Sequence, residues 1–375
     1  MDVLDIARVV GGLVLLVAGG ELLVRGASSI ATRVGISPLV VGLVVVSAAT
    51  SAPELAVTVG AVLDGEPSLA IGNVIGSNIV NILVVLGLSA LVLPLIVQKQ
   101  LVRVDLPVMV GLTVVFLLVS LDGRISLFDG IILLAGVVAH AGLSVVVSRR
   151  ESVAAGQTAI PAAPDTPPES TGRPPSIVLS IVLVLGGIGL LVLGAGLLVD
   201  GAVNIATGLG VSSLVVGLTV VAIGTSLPEL ATSIIAVRRG ERDMAIGNIV
   251  GSNIFNIGLV LGLPAIIFGE GIPVPAAAIA LDIPLMLAAS FALLPIAFTG
   301  FVIARWEGGL FVVLYVTYTT YLVLAATDHN ALEGFTDVML WFVLPLLALT
   351  LVVVTVYEVG LYRGRRLARR ELLSE

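Results

Sequence analysis

The 375-residue chain has no cysteine, only two histidines, and few charges: 18 basic and 25 acidic side chains, or 11% of its residues. Without cysteine there are no disulfides and no thiolate metal sites. With so little charge and 58% hydrophobic residues it cannot cover its apolar surface as a soluble domain. A mean hydropathy of +1.18 reads instead as a polytopic membrane protein. A basic leader is missing too. The chain begins MDVLDIAR, which is acidic, and the apolar run that follows is longer than a signal-peptide core, so no cleaved signal is expected. Nothing points to a nucleic-acid or obligatory protein partner; the surroundings are the lipid bilayer.

What is present is a series of apolar runs, each near the roughly 20 residues that a bilayer demands. Charges, Gly/Pro clusters and polar breaks divide the chain into eleven. They lie near 5–30, 37–62, 69–97, 104–121, 127–148, 176–203, 211–237, 244–268, 276–299, 305–326 and 335–360. With the N-terminus outside, alternate loops collect 16 of the 18 basic residues on the inner side, including the C-terminal run RGRRLARR; only Arg8 and Arg124 remain outside. The bias of Lys and Arg in short loops sets orientation, so a cell-membrane protein with an outer N-terminus and a cytosolic C-terminus is expected.

Residues 35–90 align without a gap on 210–265 at a constant offset of 175, with 34 of 56 positions identical. Generic apolar similarity cannot place Thr50, Ser51, Pro53, Glu54, Asn73, Ser77, Asn78 and Asn81 on identical partners. Five spans separate equivalent points, so the second copy enters the membrane upside down. The loop charges agree: Leu63 and Asp64 in an outer loop correspond to Arg238 and Arg239 in an inner one. Inverted repeats of this kind mark secondary transporters, with a midplane site on interrupted helices. The expected fold is all-α. Residues 1–148 and 176–326 form two inverted five-helix halves, joined by a Pro/Ala/Ser-rich disordered cytosolic linker at 149–175. An extra span and basic tail follow at 327–375.

Within VSAATSAPELAV, on a helix, Ser47, Thr50, Ser51 and Glu54 fall on one stripe. Pro53 has no N–H, so the carbonyl of Ala49 loses its helical partner. Backbone oxygen freed at membrane depth is tolerated only where protein, water or an ion satisfies it. The next span puts Asn73, Ser77 and Asn81 on one face, with Gly72, Gly76 and Gly87 allowing close approach of another helix. The second copy supplies Thr225, Ser226, Glu229, Asn248, Ser252 and Asn256, with Ala222 in place of Ser47. All of these donors are oxygen or amide groups, and neither His140 nor His329 lies in a repeat. Such surroundings suit a hard cation; calcium takes about 6–8 oxygens. Any single hydroxyl could equally bond back to its own helix, and Asn73, Asn78 and their counterparts could be interhelical glue. Glutamates at the centre of two equivalent spans are another matter, because intramembrane acids face the interior and serve function. No histidine or lysine base accompanies Ser51 or Ser226, so no enzyme is expected.

The paired SAATSAPE and AIGTSLPE, each followed by GNVIGSNIVN or GNIVGSNIFN, closely resemble the α-repeats of the sodium/calcium exchanger family. The resemblance spans both repeats. It implies Ca²⁺ leaving the cytosol against Na⁺ by alternating access, with no cofactor beyond the transported ions. Residue by residue it implies Glu54 and Glu229 as shared acids, and Thr50, Ser51, Thr225 and Ser226 as hydroxyl or carbonyl ligands. Ser47 and Ala222 would lend backbone oxygen, and Ser77, Asn81, Ser252 and Asn256 would ligate from the second helix. The family's first span and its partner slide across a rigid core, and the glycines at 19–20, 26, 194, 196 and 201 would fit that sliding face. Departures are Ala49 and Ala52, where the family more often has Gly and Leu, and Asn256, where some members carry Asp. An H⁺-coupled antiporter of Ca²⁺ or another divalent cation is the alternative, and a cation channel the reading from a different class.

Overall fold

The computed structural model describes residues 3–158, 176–210, 222–298, 300–327 and 329–343, with isolated positions 345, 352, 356 and 360 beyond. Among the described residues nine helices are long and apolar enough to cross a membrane. Seven are labelled by the spans α1 (Val3–Val34), α2 (Pro38–Leu63), α3 (Pro67–Val92), α4 (Leu101–Ser120), α8 (Arg242–Phe268), α9 (Ala278–Phe298) and α10 (Arg305–Ala326). The other two are α5 (Leu127–Thr158) and α6 (Ile177–Gly208). Shorter helices are α7 (Leu227–Arg238) and α11 (Leu332–Val338). The two remaining expected spans fall partly outside the described residues, the first over 211–221 and the last after 343. So does the linker from 159, while α5 runs on to Thr158. The basic tail lies outside the description altogether.

Helices α3 and α8 are the centre of the bundle. Each is 83% buried over its most apolar window, against 11–50% for the other spans. Both are entered through the same turn: Gly65 and Gly240 stand at φ 74 and 82, a left-handed conformation that a Cβ would disfavour. Their numbers differ by the offset of the sequence repeat.

Two short antiparallel ladders tie the ends of the bundle. β1 (Leu95–Ile96) pairs with β4 (Val302–Ile303), and β2 (Arg124–Ile125) with β3 (Ile272–Pro273). Each ladder joins loops that the arginine bias assigns to one side. The first ladder's end also holds a Glu21–Arg239 ion pair, Gln98 Nε2 donating to Asp243 at 2.6 Å, and Ser28 donating to Glu241 at 3.1 Å. At the opposite end Asn204 Nδ2 donates to Asp5 at 2.9 Å. No contact among these crosses the sidedness expected from sequence.

Antiparallel α1 and α6 pack as a seam of small residues at seven-residue intervals. A Cβ on Gly12 would meet Gly194 O at 2.7 Å, on Gly19 Gly187 O at 2.8 Å, and on Gly26 Ser180 O at 2.7 Å. The reverse contacts repeat this from Gly187, Gly194 and Gly201. Hence Gly19, Gly26, Gly194 and Gly201 bring the two helices together, whereas the family resemblance suggested a face toward the core. Only Gly20 of that set meets the core, against Ile235 of α7; Gly196 has no described neighbour within 4 Å. Apolar residues give helices no hydrophobic drive to associate in lipid, so such close backbone packing carries the contact. Gly187→Val is therefore expected to separate α1 from α6 and slow transport about tenfold, since overpacking costs about 1–3 kcal/mol. Gly186→Val, exposed and with no described neighbour within 4 Å, is expected to leave transport unchanged. Uptake rates of the two neighbouring variants check this directly.

Candidate cation site

The interruptions in the repeats lie where the prolines put them. Helix α2 runs as a wide π-helical turn over Val41–Val46, an α-helical turn over Ser47–Thr50, and resumes at Ala52. At the joint Ser51 stands at φ −80, ψ 2, and the equivalent Ser226, just before α7, at φ −89, ψ 9. These are bridge-region dihedrals, sparsely occupied and common for active-site residues. The carbonyl of Ala49, deprived of a Pro53 amide, is met by the Ser51 N–H, which also reaches Ser47 O. Further wide turns open in the central helices over Asn81–Leu86 and Asn256–Leu261, each beginning on an expected ligand. Wide turns inside α-helices are frequent at functional sites.

The two repeats are cross-linked by reciprocal contacts. Thr50 Oγ1 lies 3.4 Å from Ser252 Oγ, and Ser77 Oγ lies 3.3 Å from Thr225 Oγ1. Exchanging each residue for its repeat counterpart, 175 positions away, turns one pair into the other. Asn73 Nδ2 donates to Thr58 at 2.9 Å, and its counterpart Asn248 donates to Ser233 at 3.1 Å. Asn78 Nδ2 points to Met286 Sδ at 3.5 Å, and the counterpart Asn253 to Met109 Sδ at 3.7 Å. Other contacts are made from one repeat alone. Thr50 also donates to Asn248 Oδ1 at 3.2 Å, and Asn256 Nδ2 donates to Asn78 Oδ1 at 3.3 Å.

At the centre of this lattice Glu54 and Glu229 are wholly buried, and each lies within reach of the other's charge. The Glu54 carboxylate oxygens have no hydrogen-bond partner among the described residues, and Glu229 is approached by the Thr50 hydroxyl alone; Ser51 Oγ, Ser226 Oγ, Asn256 Oδ1 and both amide atoms of Asn81 have none. Buried polar groups are almost always paired, and an isolated buried carboxylate is costlier still. A set of orphaned oxygens around two acids is what a cation or protons would satisfy. Among the described residues no three His, Cys, Asp or Glu side chains cluster.

The expected residues thus divide by role. Glu54, Glu229, Ser51, Ser226, Asn81 and Asn256 present free atoms, while Thr50, Ser77, Thr225 and Ser252 bind across the repeats. The Ser47 hydroxyl donates back to Leu43 O, which directs its proton along its own helix and leaves its oxygen's lone pairs open. Ala222 begins a single turn that ends at Gly224; its side chain is outside the description. Asn73 is held by the Glu54 carbonyl at 3.0 Å as well as by Thr58, which makes it the strut behind the glutamate. Thr58 and Ser233 were missed as supports. A hydroxyl four residues after each glutamate, in both copies, was the available signal.

The chain was compared with known proteins on this basis. The family described as sodium/calcium exchanger protein matches residues 5–141 and 179–324. The inner membrane protein YrbG of Escherichia coli is 40% identical over 262 residues, covering 70% of this chain and 79% of YrbG. The putative antiporter CaxA of Alkalimonas amylolytica is 39% identical over 289 residues, covering 76% and 86%. A solved structure of the sodium-calcium exchanger NCX_Mj, soaked without Na⁺ and Ca²⁺, shares 33% identity at a TM-score of 0.70, covering 84% of this chain and 98% of that one.

Proposed function

The chain belongs to the sodium/calcium exchanger family, and from that premise we propose that this antiporter drives Ca²⁺ out of the cytosol with entering Na⁺. It is a multi-pass membrane transporter of the cation/Ca²⁺ antiporter type and not an enzyme. The observation that carries the finer reading is the pair Glu54 and Glu229, both wholly buried and within reach of one another's charge. Two carboxylates balance one Ca²⁺. Ser51, Ser226, Asn81 and Asn256 add neutral oxygens toward the shell of about 6–8 that calcium prefers. Thr50, Thr225, Ser77 and Ser252 hold the two repeats in register and offer hydroxyl oxygen, and Ser47 and Ala222 offer backbone carbonyls.

In this proposal residues 1–148 and 176–326 are inverted halves, supported by hydroxyl pairs that interchange at the repeat offset of 175 and by ladders that interchange at 177 and 178. The N-terminus faces outward and the C-terminus the cytosol, as the arginine bias implies. Helices α1 and α6, joined to each other more closely than to the core, form the unit that moves to alternate access.

Ca²⁺ uptake into inverted vesicles separates the coupling ions. An imposed Na⁺ gradient is expected to drive uptake, and its collapse to stop it, with ΔpH held at zero. Uptake that ignores Na⁺ but stops when ΔpH collapses would assign H⁺ coupling to the same two glutamates. Unitary currents without exchange would replace the antiporter by a channel.

A further inference from the structure

A second buried ionisable group lies outside the exchange site. Asp105, at the end of a π-helical turn over Leu101–Asp105 in α4, is completely buried, as are Ser144 and all but 2% of His140 on α5. One carboxylate oxygen, Oδ1, is 2.9 Å from His140 Nε2 and accepts from Ser144 Oγ at 3.1 Å. The remaining oxygen Oδ2 and the imidazole Nδ1 have no partner among the described residues, and neither amide atom of the buried Gln100, one wide turn earlier, has one. The cluster therefore has two open positions for a proton, Asp105 Oδ2 and His140 Nδ1. A single proton at either cancels the charge of an anionic Asp105 beside a neutral imidazole.

The second half of the chain provides an internal comparison. Its wide turn Ala278–Asp282 also ends on an aspartate followed two residues later by proline, Asp282 being Asp105 plus 177. There the partner is Tyr318, whose hydroxyl donates to Asp282 Oδ1 at 3.2 Å. Tyr318 is His140 plus 178, the loop between being one residue longer in the second half. At equivalent places one half carries a histidine, the side chain that changes charge near neutral pH, and the other a tyrosine that does not.

We propose that Asp105, His140 and Ser144 form a proton-binding site, separate from the cation site and confined to the first half, whose occupancy tunes exchange. A short packing path connects the two. The same stretch of α5 lies against the wide turn that begins at Asn256, where a Cβ on Gly258 would meet Val137 Cβ at 2.6 Å. Four residues beyond Asp105 on α4, Met109 receives the Asn253 amide. A proton that alters the Asp105–His140 contact shifts the two helices against which Asn253 and Asn256 are set.

The neighbours bring no competing titration. Lys99 and Arg103, next to the cluster on the same segment, are exposed. On α8 the charged side chains are Arg242 and Asp243, engaged with Pro94 O and Gln98, and its last thirteen residues, which face α5, carry no titratable side chain. On α9 Asp282 is taken by Tyr318. Residues Pro38–Val40 of α2, also against α5, carry none.

His140→Tyr tests the site by giving the first half the second half's pair. The ratio of variant to wild-type Ca²⁺ uptake is expected to change about tenfold between acid and alkaline buffers, because tyrosine cannot take up the proton. A ratio that is flat with pH overturns the proposal. Asp105→Asn, isosteric, is expected to show the same pH-dependent ratio and serves if the tyrosine does not fit. A direct reading needs no variant at the cluster and no transport, so it stays valid if the exchange reading fails. In His329→Gln protein, His140 is the sole histidine, and its imidazole C2–H resonance in detergent is expected to move with pH. A resonance fixed from pH 5 to 9 would refute proton binding there.

Discussion

Glu54→Gln and Glu229→Gln are each expected to lower Ca²⁺ uptake at least a hundredfold. Both glutamates are fully buried and within reach of each other's charge, and glutamine keeps their shape while removing the charge. Removing one member of a buried charge group costs about 3–5 kcal/mol when its partner stays behind unbalanced. At about 1.4 kcal/mol per decade this is roughly two to three and a half orders of magnitude. In the proposed site the partner left behind is the Ca²⁺ ion, with one negative charge where it needs two. A second readout runs the other way. Without Ca²⁺ the wild-type protein holds two buried carboxylates approached by no more than the Thr50 hydroxyl, so either variant should melt at a higher temperature than wild type. Saturating Ca²⁺ should then stabilise only the wild type, by about 2.7 kcal/mol at a hundred times its dissociation constant. A purely structural pair of glutamates would show neither the lost uptake nor the lost Ca²⁺-dependent shift. Normal uptake in either variant would remove the proposed site.

The site was readable in sequence because its chemistry is local and duplicated. The stripe Ser47–Thr50–Ser51–Glu54 needs only the helical period, and the Pro53 break only a missing amide; both reappear at offset 175, with Ala222 in place of Ser47. What escaped sequence reading depends on partners distant in the chain. Asn73 and Asn248 could be ligands or glue until their bonds to Thr58 and Ser233 placed them as struts. Asp105 and His140 stand 35 residues apart on different spans, with nothing local to join them. The glycines of α1 and α6 were legible as a small-residue face, but not which helix that face meets. Periodicity gives the face of a helix, and only packing gives its neighbour. Of the glycines expected beside the central helix α3, Gly87 does meet another backbone, Gly308 O at 2.8 Å from its would-be Cβ. Gly72 and Gly76 have no described neighbour within 4 Å, and the segment equivalent to the partner of their counterparts is 211–221, outside the described residues.

Those counterparts, Gly247 and Gly251, carry the other large expected effect. They lie where α8 crosses the first turns of α2, at Gly42. A Cβ on Gly251 would sit 2.6 Å from Ser47 Oγ and 2.8 Å from Leu43 Cα, and one on Gly42 would sit 2.9 Å from the Asn248 amide nitrogen. These obstacles are backbone, apart from one short serine, and none can swing aside. The added atom is the Cβ itself, so alanine is as badly placed as valine, and the usual rescue by a smaller residue is closed. Gly251→Ala is expected to force the helices apart, at about 1–3 kcal/mol or more for overpacking. The displacement falls where the site is assembled. Thr50 reaches Asn248 at 3.2 Å and Ser252 at 3.4 Å across this crossing, and a shift of half an ångström takes both beyond hydrogen-bond range. Uptake should therefore fall further than stability: at least tenfold slower exchange in protein that still elutes as a folded species and melts only a few degrees lower. Gly42→Ala, on the other side of the contact, should reproduce both changes, and combining the two should cost less than their sum because they act on one interface. Full additivity, or wild-type uptake in Gly251→Ala, would show that the crossing does not set the spacing of the two repeats.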